Sequence, residues 1–271
     1  MAWSLDDIAW ERFDGSKIDP ELVKLVKAAS LVESNGRDYA TYLCNVFSDD
    51  PEFQAAANIW ALEEEQHGRA LARWAALADA DFDYDEALAR FRAGYRIPLE
   101  ATRSVRGSRA GELVARCIVE VGTSSYYAAL GEASQEPVLA QVCQRIAADE
   151  LRHYKLFYTH LKRYLGRENI GRLRRLMIAL GRMNESEDDE LAYAFYAANV
   201  PKDEPYHLGR HSAAYLSRAA GYYRAKHVRR AVSMTLKAAG LKPQGWLAAV
   251  ATSVACRYLN WRRGRLAAPS A

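Results

Sequence analysis

Along most of this 271-residue chain, apolar residues recur at spacings of three and four, which is the periodicity of a helix with one buried face. No run alternates between apolar and polar residues with period two, so no strands are predicted. Prolines and polar clusters divide the pattern into separate helices. The predicted helices cover about 20–47, 51–78, a shorter segment ending near 96–98, 107–131, 137–165, 168–184, 187–198, 207–239 and 244–264. The predicted fold class is therefore all-α.

The segment "VPKDEP" at 200–205 carries two prolines and three charged residues and is typical of a linker. It divides the chain into a predicted helical domain over 1–200 and a helical C-terminal extension over 201–271. The net charge of +3 hides an asymmetry, because 12 of the 37 Lys and Arg follow Pro205 whereas all 34 Asp and Glu precede it. The first domain is thus acidic and the extension is basic.

Composition narrows the class of protein. Hydrophobic residues make up 50% of the chain and charged residues 26%, as in a folded globular protein. The four cysteines are far apart and form no CxxC pair, which argues against a zinc ribbon, a rubredoxin-type iron centre and a disulfide scaffold. The acidic first ten residues do not resemble an export signal, and the longest apolar stretch, 245–256, is too short to span a bilayer. We therefore expect a cytoplasmic protein, with peripheral membrane contact as an alternative.

Two of the long helices carry the same sequence fragment. In each, a proline precedes a Glu-x-x-His motif by 13 residues, and the two copies are 86 residues apart. The first copy consists of Pro51, Glu64 and His67, and the second of Pro137, Glu150 and His153. Because residues three apart share a helix face, both side chains of each motif can point in one direction.

A further acid precedes each motif by one helix. Glu33 lies 31 residues before Glu64, and Glu120 lies 30 residues before Glu150. If the chain reverses midway between the two acids of each pair, both lie roughly 23 Å from the end of the hairpin. The acids of a pair then face each other at one level, and two packed hairpins bring four carboxylates and two imidazoles together.

Such a cluster requires cations. Four ionised carboxylates in a dry core cost several kcal/mol each unless they are neutralised. One Glu from each of two helices and Glu-x-x-His from two others is the ligand set of carboxylate-bridged di-iron proteins. A single Glu-x-x-His is more often a solvated helix face, but the repeat and the matched acids favour a two-metal site. The ligand types suit manganese as well as iron.

Two segments around these motifs resemble a known family. "AQVCQRIAADELRH" at 140–153 resembles the fourth-helix segment of soluble acyl-acyl carrier protein desaturases, and "WALEEEQHGRAL" at 60–71 resembles their second-helix segment. The resemblance covers about 20–165 and implies a ferritin-like four-helix bundle, here with additional C-terminal helices. It also implies a di-iron centre that activates dioxygen to remove hydrogens from a fatty chain, with electrons from a donor such as a ferredoxin.

Carried over residue by residue, the resemblance implies a role for each ligand. The bridging carboxylates would be Glu64 and Glu150, the terminal carboxylates Glu33 and Glu120, and the terminal nitrogens His67 and His153.

The resemblance also points to three residues beside the ligands. Asp149 matches an acid that orients a ligand histidine, and Glu63 is its counterpart in the other half; surface charge is the alternative for both. Thr123, three residues after Glu120, matches a threonine whose hydroxyl reaches the dioxygen side of the metals. The alternative for Thr123 is a hydroxyl bonded to its own helix backbone.

The predicted function is a di-iron oxidoreductase that desaturates or hydroxylates an apolar, fatty-acyl substrate held on a carrier. The family tends to have a second Glu where Ser34 follows Glu33, and the region after about 205 matches nothing in it, so substrate identity stays open. The alternatives are a bacterioferritin-like ferroxidase, a rubrerythrin-like peroxidase, a hydroxylase of another membrane-associated lipid or quinone, and a bundle stabilised by metal. Ferroxidase chains are shorter, and rubrerythrins usually carry a rubredoxin module, whose CxxC pairs this chain lacks.

The basic extension suggests several partners. Trp246, Tyr258 and Trp261 beside "RRGR" suit a helix lying on an anionic membrane surface. An acidic acyl carrier protein would be attracted to the same charge, and a solvated basic face is the remaining alternative. Nucleic acid is not expected, because no reading motif accompanies the charge. A homodimer is the expected assembly.

Overall fold

The computed structural model describes residues 3–185 and 189–266, with side chains described as far as 261. Helices account for 77% of these residues and none of them lies in a strand, which confirms the all-α prediction. The α-helices are Pro20–Glu33 (α1), Gly36–Val46 (α2), Pro51–Ala78 (α3), Tyr84–Gly94 (α4), Arg109–Ala133 (α5), Pro137–Leu165 (α6), Arg172–Glu185 (α7), Glu190–Asn199 (α8), Leu208–Tyr222 (α9), Ala225–Ala238 (α10) and Trp246–Leu266 (α11). Short 3-10 turns occupy Leu5–Asp7, Trp10–Arg12 and Gly15–Lys17 before α1.

The two longest helices start at the residues that the sequence indicates. The Asp50 side chain accepts a hydrogen bond from the Phe53 amide, and Pro51 occupies the first helical position, where no backbone donor is needed. At the start of α6 the Glu136 side chain accepts hydrogen bonds from the Val138 and Leu139 amides, and Pro137 occupies the first helical position. Both helices therefore have the predicted bounds.

Two predicted helices are each divided in the structure. The predicted helix over 20–47 ends at Glu33 and resumes at Gly36, and the one over 207–239 is interrupted by extended backbone at Tyr223 and Arg224. At the first break the Ser34 hydroxyl donates to the Ser30 carbonyl, a bond that tends to bend helices.

The break between α1 and α2 lies against α3. A Cβ on Gly36 would come within 2.7 Å of Glu64 Cβ, and a Cβ on Gly68 would come within 2.1 Å of Ser34 Oγ. The two glycines thus allow the turn to approach α3 closely at the level of Glu64.

The long helices pack in pairs, α5 along α6 and both α1 and α2 along α3, and α3 contacts α6. Two buried apolar clusters lie on either side of the level at which α1, α3, α5 and α6 carry their predicted ligands. One contains Leu25, Leu71, Trp74, Leu130 and Leu139, and the other Phe47, Phe53, Trp60, Leu113 and Phe157.

The later helices pack on these pairs. Helix α8 contacts α1, α9 contacts α8, α1 and α5, and α10 contacts α5, while α11 packs on α9 and α10. Contacts therefore cross the predicted boundary near 200, and the division into 1–200 and 201–271 stays a prediction. Over the described ranges, no helix has the length and apolar character that a membrane span requires.

Candidate metal centre

The structure brings all six predicted ligand residues together in the interior. Glu33 lies at the end of α1, Glu64 and His67 on α3, Glu120 on α5, and Glu150 and His153 on α6. All six are buried. They form two groups, and within each group the ligand atoms lie within 4.8 Å of one another. The first group is Glu33, Glu64, His67 and Glu150, and the second is Glu64, Glu120, Glu150 and His153.

In both histidines the ring nitrogen Nδ1 faces the carboxylates. His67 Nδ1 lies 3.2 Å from Glu150 Oε1 and 3.5 Å from Glu33 Oε2. His153 Nδ1 lies 2.9 Å from Glu64 Oε1 and 3.8 Å from Glu150 Oε1. Glu150 therefore lies between the two imidazoles, whose ring centroids are 5.7 Å apart.

The other ring nitrogen of each histidine contacts an acid on the opposite helix. His153 Nε2 lies 2.7 Å from Glu63 Oε2, and His67 Nε2 lies 3.1 Å from Asp149 Oδ2. An ionised carboxylate only accepts, so Nε2 must carry the proton in both pairs. In the neutral imidazole this leaves the Nδ1 lone pair directed at the carboxylate cluster, as a metal ligand requires. Glu63 and Asp149 are both buried, so surface charge does not describe their positions.

Two residues that the sequence reasoning missed hold Asp149. Trp3 Nε1 donates to Asp149 Oδ2 at 2.8 Å, and the Trp3 ring stacks on the His67 ring with 6.1 Å between centroids. Arg152 Nη2 lies 2.7 Å from Asp149 Oδ1 and 3.5 Å from a Glu63 oxygen. The spacing of Arg152, three residues after Asp149, could have indicated its contact. Nothing in the pattern indicates Trp3, which is 146 residues away.

Two hydroxyls on α5 reach the carboxylates. Thr123 Oγ1 donates to Glu150 Oε2 and also lies 3.2 Å from the Val119 carbonyl of its own helix. Its single hydrogen can serve only one of these acceptors at a time. The backbone contact matches the alternative reading of Thr123, and a role toward dioxygen stays a prediction. Tyr127, one turn later, donates its hydroxyl hydrogen to Glu33 Oε1. In the sequence, this contact is indicated only by the helical spacing of Tyr127 from Thr123.

Without metal, Glu64, Glu120 and His67 favour their protonated forms. Burial raises the pKa of Glu64 well above its usual value, and the charges of Glu150 and Glu33 raise it further. Burial and the Glu150 charge raise the pKa of Glu120 to about 8. For His67, burial lowers the pKa, but the hydrogen bond with Asp149 and the nearby carboxylates of Glu150 and Glu33 outweigh it and raise the pKa well above the usual value. A cation entering the site would displace these protons.

The donor atoms fit a metal site. Seven buried ligand atoms have no hydrogen-bond partner, although they lie close together. They are Glu33 Oε2, Glu64 Oε1, His67 Nδ1, both oxygens of Glu120, Glu150 Oε1 and His153 Nδ1. Buried polar atoms are otherwise almost always satisfied in folded proteins, so convergent carboxylate and imidazole atoms indicate a cation. The structure does not distinguish iron from manganese, because both accept these ligands.

A cavity of about 550 Å³ lies beside the cluster. Glu33 and Thr123 line it, so it reaches one side of the candidate metal centre. Its walls are largely apolar and aromatic. Residues of α1, α2, α7 and α8 contribute to them together with residues of α5 and of the C-terminal helices, among the latter Ile118, Val121, Tyr126, Tyr215, Ala219 and Tyr223. Gly122 also lines the cavity, and a Cβ added there would meet nothing within 4 Å. The backbone at Gly122 therefore borders open space.

Comparison with known proteins finds no protein-family model that matches the chain, and no curated protein sequence matches it. The functional interpretation therefore depends on the residues of the centre, their contacts and the cavity.

Proposed function

We propose that this protein is a non-haem di-iron oxidoreductase, built on a ferritin-like four-helix bundle, that uses dioxygen to desaturate or hydroxylate an apolar, fatty-acyl substrate. The observation that carries the proposal is the junction of cluster and cavity. Glu33 and Thr123 belong to the carboxylate side of the centre and to the wall of an apolar cavity. A substrate in this cavity would lie beside the metals, in an apolar environment and out of contact with bulk water.

The two ligand groups support a dinuclear centre in particular. Glu64 and Glu150 belong to both groups, which suits carboxylates that bridge two ions. Glu33 and His67 complete one set, and Glu120 and His153 complete the other. Two divalent cations would neutralise four carboxylates, so the buried charge would no longer oppose folding.

With two electrons from an external donor such as a ferredoxin, the bound iron pair would supply the redox chemistry that reduces dioxygen while the substrate is oxidised at a C–H bond. The chain's own residues prepare the site for this chemistry. Glu63 and Asp149 hold the imidazoles with Nδ1 facing inward. The Thr123 hydroxyl holds a proton at Oγ1 on the cavity side of Glu150.

The cavity supports an apolar substrate. Its volume of about 550 Å³ lies in the range of small-molecule sites, which are mostly apolar with a few polar groups. Its polar side chains include Arg116, Glu112 and Glu190, whereas the wall beside Thr123 is formed by residues such as Val121 and Tyr126. A chain lying along that wall would be shielded from water where it meets the centre.

The test is anaerobic loading with Fe²⁺, followed by oxygen exposure with lipid extract or with acyl carrier protein thioesters. We expect two irons per chain, oxygen consumption that depends on substrate, and a desaturated or hydroxylated product in the mass spectrum. Parallel loading with Mn²⁺ identifies the active metal. Oxygen uptake in proportion to added Fe²⁺ alone, in a many-subunit cage, would instead establish a ferroxidase. Peroxide-dependent turnover would establish a peroxidase.

A further inference from the structure

Helix α11 presents a row of large apolar side chains to solvent. Trp246, Val250 and Val254 are 78%, 52% and 61% exposed, and their spacing of four places them on one side of the helix. On the other side, Ala251 and Ala255 are half-buried where α11 packs on α9 and α10. A helix that is apolar on both sides is normally buried, so its outer side indicates a surface that something covers.

Helix α7 carries a second exposed apolar row. Leu173, Met177 and Leu180 are 72%, 61% and 51% exposed, at spacings of four and three. The opposite side of α7 is anchored by Ala179, which is buried. We call the outer sides of α7 and α11 the apolar rows.

Helices α7 and α11 share a neighbouring helix and a cavity. Both contact α10, and both line the cavity that reaches the candidate metal centre, α7 through Met183 and α11 through Leu259. The apolar rows therefore lie on helices that also contribute to the cavity wall.

The basic charge of the C-terminal helices and α7 indicates which kind of partner would cover the apolar rows. The chain carries 12 Lys and Arg and no Asp or Glu after Pro205, and α7 adds the exposed Arg172 and Arg174. Two copies of this surface in a symmetric dimer would bring like charges together, because a two-fold interface pairs a patch with itself. An acidic carrier protein would match the charge but not long rows of Trp, Leu, Met and Val. A bilayer with anionic headgroups matches both properties.

We propose that the apolar rows of α7 and α11 lie on an anionic lipid membrane, with the helices in the plane of the headgroups. Over the residues that the structure describes, no helix qualifies as a span, so the contact is with the bilayer surface. Apolar molecules dissolved in the bilayer would then lie next to the outer wall of the cavity. This last step rests on the proposed function, whereas the membrane contact does not.

Flotation of the full-length protein with vesicles tests the membrane contact. We expect binding to vesicles of equimolar phosphatidylcholine and phosphatidylglycerol, weaker binding to phosphatidylcholine alone, and release by salt. W246Q/V254Q removes two exposed apolar side chains without changing charge and should lower the vesicle-bound fraction roughly tenfold. L173Q/M177Q tests the row on α7 in the same way.

I59Q/L77Q is the matched control, because Ile59 and Leu77 are exposed apolar residues of α3, outside both rows. This variant should bind vesicles like the unmodified protein, and all variants should take up the same amount of iron. Failure of the unmodified protein to bind phosphatidylglycerol vesicles would overturn the proposal, as would equal binding by W246Q/V254Q.

Two further outcomes would assign the surface to another partner and overturn the proposal. One is a dimer, measured by light scattering, that W246Q/V254Q converts to a monomer while neither protein binds vesicles. The other is binding to acyl carrier protein, lost in that variant, without binding to vesicles. Vesicle binding without oxidation of any lipid would leave the membrane contact intact and count against the proposed function alone.

Discussion

Glu63 on α3 and His153 on α6 are joined across the two helices, with 2.7 Å between Glu63 Oε2 and His153 Nε2. Asp149 and His67 form the reciprocal pair in the other direction, at 3.1 Å. Glu63 directly precedes Glu64 on α3, and Asp149 directly precedes Glu150 on α6. In each helix the acid before the Glu of the motif therefore orients the histidine of the other helix. The two copies of the motif therefore depend on each other. A substitution of Glu63 should affect metal binding through His153, and a substitution of Asp149 should affect it through His67.

Replacement of Glu63 by Gln should weaken metal binding. The amide can accept the His153 hydrogen bond but no longer carries the charge that fixes the imidazole, so we expect affinity to fall by roughly 10- to 100-fold. Competition with a chelator measures this change. Glu65→Gln is the control, because Glu65 pairs with Arg37 at the surface. Equal affinities of the two variants would argue against an orienting role for Glu63.

Replacement of Glu150 by Ala should abolish metal loading, because Glu150 belongs to both ligand groups. Glu150 also faces both imidazoles, so the variant loses buried contacts and its fold has to be measured beside its metal content. Elemental analysis gives metal per chain, and circular dichroism checks the fold. Glu52→Ala, at an exposed position of α3, should load normally. Full metal occupancy in the Glu150 variant would refute the site.

Replacement of Trp3 by Phe removes the hydrogen bond to Asp149 but keeps an aromatic ring against His67. A hydrogen bond to a charged group contributes about 1.5–3 kcal/mol, so we expect a loss of that order in the free energy of unfolding, measured with urea. Metal affinity should fall as well. Trp10→Phe also removes an indole hydrogen bond, to the Leu5 carbonyl, but leaves the centre untouched. A similar loss of affinity in both variants would contradict a specific role for Trp3.

Replacement of Gly122 by Leu should reduce substrate oxidation without reducing metal content. A side chain there enters the cavity beside Thr123 and takes space that the proposed substrate would occupy. Gly122→Ala, whose Cβ meets nothing within 4 Å, should fold normally and retain most of the activity. Iron per chain and product yield separate the two effects. If the Leu variant oxidised acyl substrates of every chain length normally, the cavity would have no part in the proposed function.

The stability of the metal-free protein should depend on pH. In the folded protein the pKa of Glu120 is raised from 4.5 to about 8, so folding favours the protonated carboxyl. The contribution of this carboxyl to the free energy of unfolding is fully present below about pH 4.5 and is lost as pH rises through about 8. The raised pKa of His67 acts in the same direction. Melting temperatures in chelator should therefore fall between about pH 5 and pH 9.

Metal should reverse this dependence, because ligands must lose their protons to bind a cation. The metal-loaded protein should gain stability over the metal-free protein as pH rises through the same interval. A metal-free melting temperature that stays constant or rises would show that the carboxylates do not hold protons in the folded state.

Much of the long-helix architecture was predictable from local signals. Pro51 and Pro137, each after a capping acid, mark the starts of α3 and α6, and the periodic apolar residues carry each helix to its end. The break at Ser34 was not predictable, because 20–47 has continuous helical periodicity. It forms where Gly36 and Gly68 bring the chain close to α3, and such an approach exists only in the packed molecule.

The sequence by itself determined which side chains could form the centre. Two Glu-x-x-His copies and two acids at matched distances specify six candidate ligands, because helix geometry converts spacing into direction. Only the tertiary structure decided what surrounds them. Residues far apart in the chain meet in the crossed acid–histidine pairs, in the contact of Trp3 with Asp149, and in a cavity walled in part by C-terminal helices. Such contacts depend on how helices pack, and no local periodicity records that packing.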